Sequence, residues 1–360
     1  MSKGGRVRYS PVLKAKAAEL SVITTESLKS SIEPVFELLP GQAPSPPRPG
    51  QPTAIAKSTL TETRHFLDAI DQLWGGRYYA DVRHLVSSEH GLEAWWAFIN
   101  AGFALSRPVA WPVPVVALDD VVDIGQAFAL AATCADGLAI RIKMPVAPSS
   151  NLPDTLMGVS ARTGLAVDRI DLILDWSNEV ENYPLDLLEH QTAQLIARLV
   201  EKVRRISVIG TLDDSDVAGA GSWTRDRREW WTWLRLRDAG WDVDFGDYAL
   251  FAPKPPGFGR PTYGHLRYSY GDKVRIDRFD SRSAGSLKAA FTECCRNLHA
   301  SGAFCGGDHC DSDRRIASIV GGESSTGGAG QWREISFRHH IRLVDDQLST
   351  PQASPVPGTP

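Results

Sequence analysis

Hydrophobic positions along the chain gather into eight short, nearly continuous runs separated by stretches of helical or loop character. The runs are YSPVLKAK (9–16), SIEPVFELL (31–39), RYYADVRHL (77–85), VAWPVPVVAL (109–118), GLAIRIKM (137–144), IDLILDW (170–176), RISVIGT (205–211) and VDFGDYAL (243–250). Continuous apolar runs of this length suit parallel strands covered by helices. Between them, residues 60–74 follow Thr59-x-x-Glu62, a capping-box pattern, and set Phe66, Leu67, Ile70, Leu73 and Trp74 on one side before Gly75. Pro184 stands where a helix begins, and Leu188, Leu195, Ile196, Leu199 and Val203 keep helical spacing up to Arg204 and Arg205. TRDRREWWTWLRLRDA (224–239) reads as a further helix closed by Gly240. The first connector, AAELSVITTESLKS, is rich in β-branched residues, which disfavour a helix. Strands alternating with crossovers of helical length predict an α/β fold, a (β/α)8 TIM-like barrel whose strands span 9–250. Periodicity alone does not close a sheet, so a doubly wound open sheet is the alternative.

A barrel of this type takes about 250 residues, which leaves about a hundred for an appendage. Residues 1–8 read as a flexible N-terminus and 349–360 as a disordered tail. The span 251–348 reads as a C-terminal extension. HLRYSYGDKVRIDRF (265–279) alternates around Tyr270-Gly271-Asp272 and predicts a hairpin lying over the barrel rim. An eighth outer helix over 284–299 and a final helix over 332–348 complete it. In the final helix Trp332, Ile335, His339 and Leu343 share one face, expected to pack on the barrel. Arg333 and His340 lie off that stripe and are expected to face the rim or a partner. APSPPRPGQP (43–52) and GGESSTGGAG (321–330) read as loops.

Composition narrows the classes. Hydrophobic residues at 42% and charged residues at 23% are ordinary for a globular core. A net charge of −4 gives no general attraction to nucleic acid or to an anionic membrane. In the Trp- and Arg-rich stretch 224–239 the arginines alternate with Asp226, Glu229 and Asp238, so no strong nucleic-acid signal remains. No apolar run reaches the ~18 residues of a membrane span. Five cysteines, Cys294 and Cys295 adjacent among them, are no disulfide framework, and the expected location is cytoplasmic.

Strand parity carries the candidate chemistry, because alternate residues of a strand face opposite sides. Lys14 and Lys16 share a parity, as do Glu33 and Glu37, Asp81 and Arg83, Arg141 and Lys143, and Asp171 and Asp175. The last strand adds Asp247 with Tyr248 beside it. These charges are expected to converge in one lumen, many near the C-terminal strand ends where barrel enzymes keep their sites. Glu33 and Asp171, at strand beginnings, are expected to face solvent at the bottom. Lys14, Glu37, Asp175 and Asp247 are the candidate catalytic residues. Lys16, Arg83, Arg141, Lys143, Tyr248, Arg267 (reaching down from the hairpin) and His340 are the candidate ligand-binding residues. The competing reading is a salt-bridge network that serves stability alone.

Specific motifs are few. There is no GxGxxG after a strand, no GxxxxGK[ST], no HExxH and no GxSxG, and GFG at 257–259 is weak for phosphate. CGGDHCDSD (305–313) could offer Cys305, Asp308, His309 and Cys310 to a metal, with His339 or His340. Zinc sites usually show two spaced ligand pairs, and here the second pair is adjacent. An acidic opening of the helix RRIASIV by Asp311 to Asp313 accounts for the stretch, so no metal is expected, and no cofactor is identified.

YSPVLKAKAAEL, IEPVFEL, FGDYAL and WREISFRHHIRLV (332–344) together resemble the Beta protein family of phage satellites, prophages and bacterial genomes. The matching positions are Tyr9, Pro11, Lys14, Lys16 and Glu19; Pro34 and Glu37; Gly246, Asp247 and Tyr248; and Trp332, Arg333, His339 and His340. The chain departs from the pattern in its first connector, with Ala18 before Glu19 and then a run of Thr and Ser. The resemblance implies a link to phage defence or to prophage and satellite biology, and no particular reaction. Two classes follow. One is an enzyme or binding barrel, with Lys14, Arg83 and Arg141 holding an anionic or phosphorylated small molecule and Glu37, Asp175 or Asp247 as acid, base or metal ligand. The other is a non-catalytic partner or regulator of a toxin-like protein in a defence module, met through exposed Trp and His of the C-terminal segment.

Overall fold

The computed structural model describes residues 8–14, 17–22, 32–39, 59–74, 76–86, 96, 112–118, 137–145, 151–214, 216–251 and 262–350. The eight apolar runs form a closed parallel barrel: β1 (Tyr9–Lys14), β2 (Val35–Glu37), β3 (Tyr79–Asp81), β4 (Val113–Ala117), β5 (Leu138–Lys143), β6 (Ile170–Asp175), β7 (Arg205–Gly210) and, after an inserted strand, β9 (Asp244–Asp247). β9 closes the ring on β1 through the pairs Tyr9↔Phe245, Ser10↔Gly246 and Pro11↔Asp247.

Each strand divides its side chains between two cores. Val12, Val35, Tyr79, Val113, Val115, Ala139, Ile173 and Ile209 fill the lumen with Tyr248. Leu13, Phe36, Ala80, Ile140, Leu172, Leu174, Val208 and Phe245 face the outer layer. The described helices there include α1 (Ala17–Val22), α2 (Thr59–Leu73), α3 (Arg83–Val86), α4 (Leu152–Thr163), α5 (Leu185–Leu199) and α6 (Arg228–Asp238). In α2 and just after it, Leu67, Ile70 and Trp74 are buried as their spacing predicts, while Leu73 is 46% exposed.

The predicted helix over 224–239 starts late, at Arg228, because Gly221–Asp226 forms a strand, β8. β8 pairs antiparallel with β11 (Lys273–Asp280), which pairs with β10 (Tyr263–Tyr270). The hairpin is therefore the body of a three-stranded sheet. Its apolar side meets α7 (Leu287–His299), capped by Ser286 Oγ accepting from the Ala289 N–H at 3.1 Å, together with α8 (Asp311–Val320). α9 (Ala329–Ser349) joins the two bodies: Trp332 and Ile335 belong to the sheet's core, Phe337, Ile341 and Val344 to the barrel's. Among the described residues no helix is long and apolar enough to cross a membrane. Lys16, the loop 43–52, the GFG turn and the tail 351–360 lie outside the described residues.

Candidate functional site

The upper end of the lumen is built from the last residues of neighbouring strands. Lys14, Glu37 and Asp81 sit opposite one another across β1, β2 and β3, and Lys143 sits opposite Asp175 across β5 and β6. Arg141, 4% exposed, projects among the acids. Its Nε donates to Asp175 Oδ2 at 2.8 Å, and its Nη1 donates to Asp81 and, at 3.3 Å, to Glu37 Oε1. Its Nη2 lies 2.7 Å from Asp175 Oδ2 and donates to the Tyr248 hydroxyl. Tyr248 in turn donates to Asp175 Oδ2 at 2.8 Å. Ser177 closes the other side of the carboxylate, its N–H donating to Asp175 Oδ1 at 2.8 Å and its hydroxyl at 3.1 Å. That hydroxyl also stands 3.2 Å from the Tyr248 oxygen.

Burial pushes the Asp175 carboxyl up, but the Arg141 guanidinium and the Tyr248 hydroxyl outweigh it and hold the group below its ordinary range. Burial and the Asp175 charge, against the opposing pull of Arg141, drive the Tyr248 phenol well above its ordinary value, so it stays a neutral donor. Arg83 pairs with Glu37 and lies 3.5 Å from Asp81, yet its Nε has no hydrogen-bond partner and its side chain is 25% exposed. Lys143 is exposed and Lys14 half-buried.

The lower end carries a second network. Arg77 bridges Glu33 and Asp171 at 2.6 Å each, Arg204 pairs with Asp171 and Arg205 joins Glu33 to Asp244. Glu33 and Asp171 are thus not solvent-facing: they are buried beneath arginines, with the Tyr79 hydroxyl donating to Asp171 at 2.9 Å.

Asp247 departs from the expected convergence. In β9 the lumen positions are Asp244 and Gly246, so Asp247 shares the outward parity of Phe245. Behind the barrel wall it accepts from the Tyr9 hydroxyl at 2.7 Å and from the Ala249 N–H at 2.8 Å. His340 Nε2 lies 2.7 Å from its other oxygen, and His340 Nδ1 lies 2.9 Å from Ser269 Oγ. His340 is 1% exposed, so it faces neither the rim nor a partner. Burial lowers the imidazole's affinity for a proton, although Asp247 pulls it the other way, which fits a neutral ring donating through Nε2. Burial likewise pushes Asp247 up, but His340, Arg227 and Tyr9 keep it below the usual carboxylate range. The wholly buried Arg227 stacks on Trp230 and Phe245 and holds Glu229, whose second oxygen has no partner. Burial raises Glu229 to about 7.

Arg267 also misses the rim cluster. It donates to the Leu250 carbonyl and pairs with Asp214 while stacked 4.4 Å over Phe251. Burial lowers even this guanidinium, to about 10. Trp332 and His339 are buried, and Arg333 lies over Phe251 and Phe337, so the exposed Trp and His surface expected for a partner is not formed by these residues. Residues the sequence reading passed over are Ser177, Arg227 and Glu229. Ser177 alone had a local signal, a hydroxyl two residues beyond a strand-terminal Asp.

The model of the family described as Beta protein matches residues 9–345. No curated protein matches the chain. Among solved structures, Haloferax volcanii malate synthase in a pyruvate/acetyl-CoA ternary complex is 10% identical, with 91% of this chain and 100% of that chain covered and a TM-score of 0.42. Fructose-bisphosphate aldolase from Campylobacter jejuni is 9% identical, with coverages of 95% and 90% and a TM-score of 0.41. The 7,8-dihydropteroate synthase from Vibrio fischeri ES114 is 14% identical, with coverages of 59% and 77% and a TM-score of 0.32. Likenesses this distant say nothing of shared chemistry, and the barrel rests on its own strand ladder.

Proposed function

The chain belongs to the Beta protein family, and on that premise we propose that it acts in phage defence or in prophage and satellite biology by binding an anionic, phosphorylated small molecule at the upper rim. The observation that carries this reading is where the backbone is strained. Among the described residues, the non-glycine positions with left-handed φ are Ser177 (48°), Ala249 (45°) and Leu250 (74°). All three follow rim strands, beside Asp175 and Tyr248. Such conformations cost on the order of 1–3 kcal/mol each and cluster at functional sites.

The division of labour follows from the pairing. Arg141 is saturated by carboxylates and organises the floor. Arg83, whose side chain is 25% exposed although its Nε is buried 3.5 Å from Asp81, and exposed Lys143 are the cations a phosphate can reach. Asp175, Tyr248 and Ser177 supply a carboxylate, a phenol and a hydroxyl in mutual contact, groups suited to orienting a ligand hydroxyl or passing a proton. Asp247 and His340 position the barrel wall rather than touch the ligand.

The test is a thermal-shift screen of nucleotides and sugar phosphates on the full chain and on Arg83→Gln/Lys143→Gln. A ligand at a hundred times its Kd stabilises by about 2.7 kcal/mol. At least one phosphorylated compound is expected to raise the parent's Tm and to lose that effect in the double variant. No shift, or an equal shift in both proteins, refutes the site.

A further inference from the structure

One cluster lies outside the rim and serves none of its chemistry. His309 and Cys310 precede α8, Asp313 lies in its first turn, and His339 comes from the middle of α9. Their ligand-type atoms all lie within 4.8 Å of one another. Asp313 Oδ2 is the meeting point: His309 Nδ1 is 2.8 Å away, His339 Nδ1 2.9 Å and Cys310 Sγ 3.0 Å.

The outer contacts show what these atoms face. His339 Nε2 is 2.8 Å from the Ser269 carbonyl, which can only accept, so that nitrogen carries a proton. The other ring nitrogen, Nδ1, is aimed at the Asp313 carboxylate, 2.9 Å from its Oδ2. His309 repeats the arrangement, with Nε2 3.4 Å from Asp346 Oδ2 and Nδ1 directed inward. Two imidazole nitrogens, a sulfur and a carboxylate oxygen thus converge on one point, with His339 and Asp313 wholly buried. A divalent cation at that point would take the place of the protons these atoms otherwise share. Histidine ligands backed by an oxygen acceptor on the far nitrogen are the usual outer-shell pattern of metal sites. Asp313 is backed too, its Oδ1 accepting from the Tyr268 hydroxyl at 2.7 Å. The Tyr268 ring, 3.7 Å from the His339 ring and 18° from parallel, sets that imidazole's orientation.

We propose that His309, Cys310, Asp313 and His339 form a closed, four-ligand structural zinc site that clamps the start of α8 to α9. Two imidazoles, a thiolate and a carboxylate are the mixed N/S/O set zinc accepts, and thiolate plus carboxylate neutralise its charge. Zinc bonds of about 2.0–2.3 Å put tetrahedral edges at roughly 3.3–3.8 Å, so the three atoms around Asp313 Oδ2 must spread by less than about 1 Å and pairs now up to 4.8 Å apart must close by about as much. Sequence spacing pointed away from a metal because the second ligand pair is adjacent rather than spaced; His309 and Cys310 lie in the cluster, Cys305 and Asp308 outside it. The site is completed instead by an acid inside a helix and a histidine from a distant one.

Metal analysis of the full chain purified without chelator is expected to give one zinc per chain, and exchange with Co2+ to give tetrahedral cobalt bands with a thiolate-to-cobalt charge-transfer band. Cys310→Ser, a near-isosteric change at a partly exposed position, should abolish the charge-transfer band while the far-UV spectrum stays that of the parent. Tyr268→Phe, which removes only the outer hydrogen bonds of that hydroxyl, should weaken zinc by about 10- to 100-fold. A parent that binds neither ion, a cobalt form without the charge-transfer band, or a band that survives Cys310→Ser overturns the site. None of these readouts involves Arg83, Lys143 or a phosphorylated ligand, so the rim reading stands or falls separately.

Discussion

Glu229 is a carboxylate buried at the first turn of α6 with one oxygen 3.4 Å from Arg227 Nε and the other without a partner. Burial, with Asp247 nearby and only partial relief from Arg227, raises it from 4.5 to about 7. A carboxyl whose folded pKa lies above its unfolded one favours folding fully below about 4.5. That contribution is then lost as pH rises, until it levels off above about 7. At 1.36 kcal/mol per unit, the 2.5 units correspond to a loss on the order of 3 kcal/mol. Glu229→Gln removes the titration and leaves shape and packing nearly intact. Its stability relative to the parent is therefore expected to rise by on the order of 3 kcal/mol between pH 4 and pH 8, whatever constant offset the amide brings. Urea unfolding at half-unit pH steps, with m unchanged, measures the difference. A parent-minus-variant curve flat across this range refutes the account of Glu229 as a buried, poorly compensated acid.

Two further outcomes test the packing around the sites. Arg141→Met strips the guanidinium from buried Asp175 and leaves Glu37 and Asp81 to Arg83, so a loss of about 3–5 kcal/mol in urea unfolding at neutral pH is expected, and a loss under about 1 kcal/mol contradicts the buried network. At Gly264 a Cβ would stand 2.4 Å from the Ala290 carbonyl carbon and from the Phe291 nitrogen, both backbone atoms of α7. Gly264→Ala is expected to cost about 1–3 kcal/mol and to raise hydrogen exchange in β10 and α7, whereas a silent substitution means that α7 does not press on the sheet there.

The barrel was legible because its signal is local and repeated: each strand is an apolar run, and each lumen charge keeps the parity of its neighbours on the same strand. Glu37, Asp81, Arg141 and Asp175 came together on that basis alone. Asp247 was misplaced because parity was assigned from its charge rather than from its strand-mate. Phe245 shares its side, and a large aromatic in a parallel barrel strand belongs against the helices. β8 was missed because its pairing partner, β11, lies about fifty residues onward, and Thr224 to Asp226 read without that partner simply extend the helix that follows. Glu229 looked like one of the alternating charges of a solvated helix face. Only the closure of β9 on β1 puts Asp247, Arg227 and Tyr9 around it.

Under the proposed rim site, the two ends of the lumen are expected to differ in kind, one serving stability and the other a ligand. Both carry carboxylates pinned by arginines, so the presence of buried ion pairs decides nothing. The lower end joins three acids to four arginines that reach in from strand beginnings and the chain preceding β1: Glu33, Asp171 and Asp244 against Arg8, Arg77, Arg204 and Arg205. Among the described residues it carries none of the left-handed non-glycine conformations. The upper end sets three buried acids, Glu37, Asp81 and Asp175, against Arg83 and Arg141, the first of which is 25% exposed. Its strand ends also hold Ser177, Ala249 and Leu250 in conformations that disfavour folding. A network kept for stability alone has no reason to hold strained backbone and a partly exposed arginine at this end. The proposed rim site, with Ser177 and Tyr248 beneath the point where a ligand would enter, would have one.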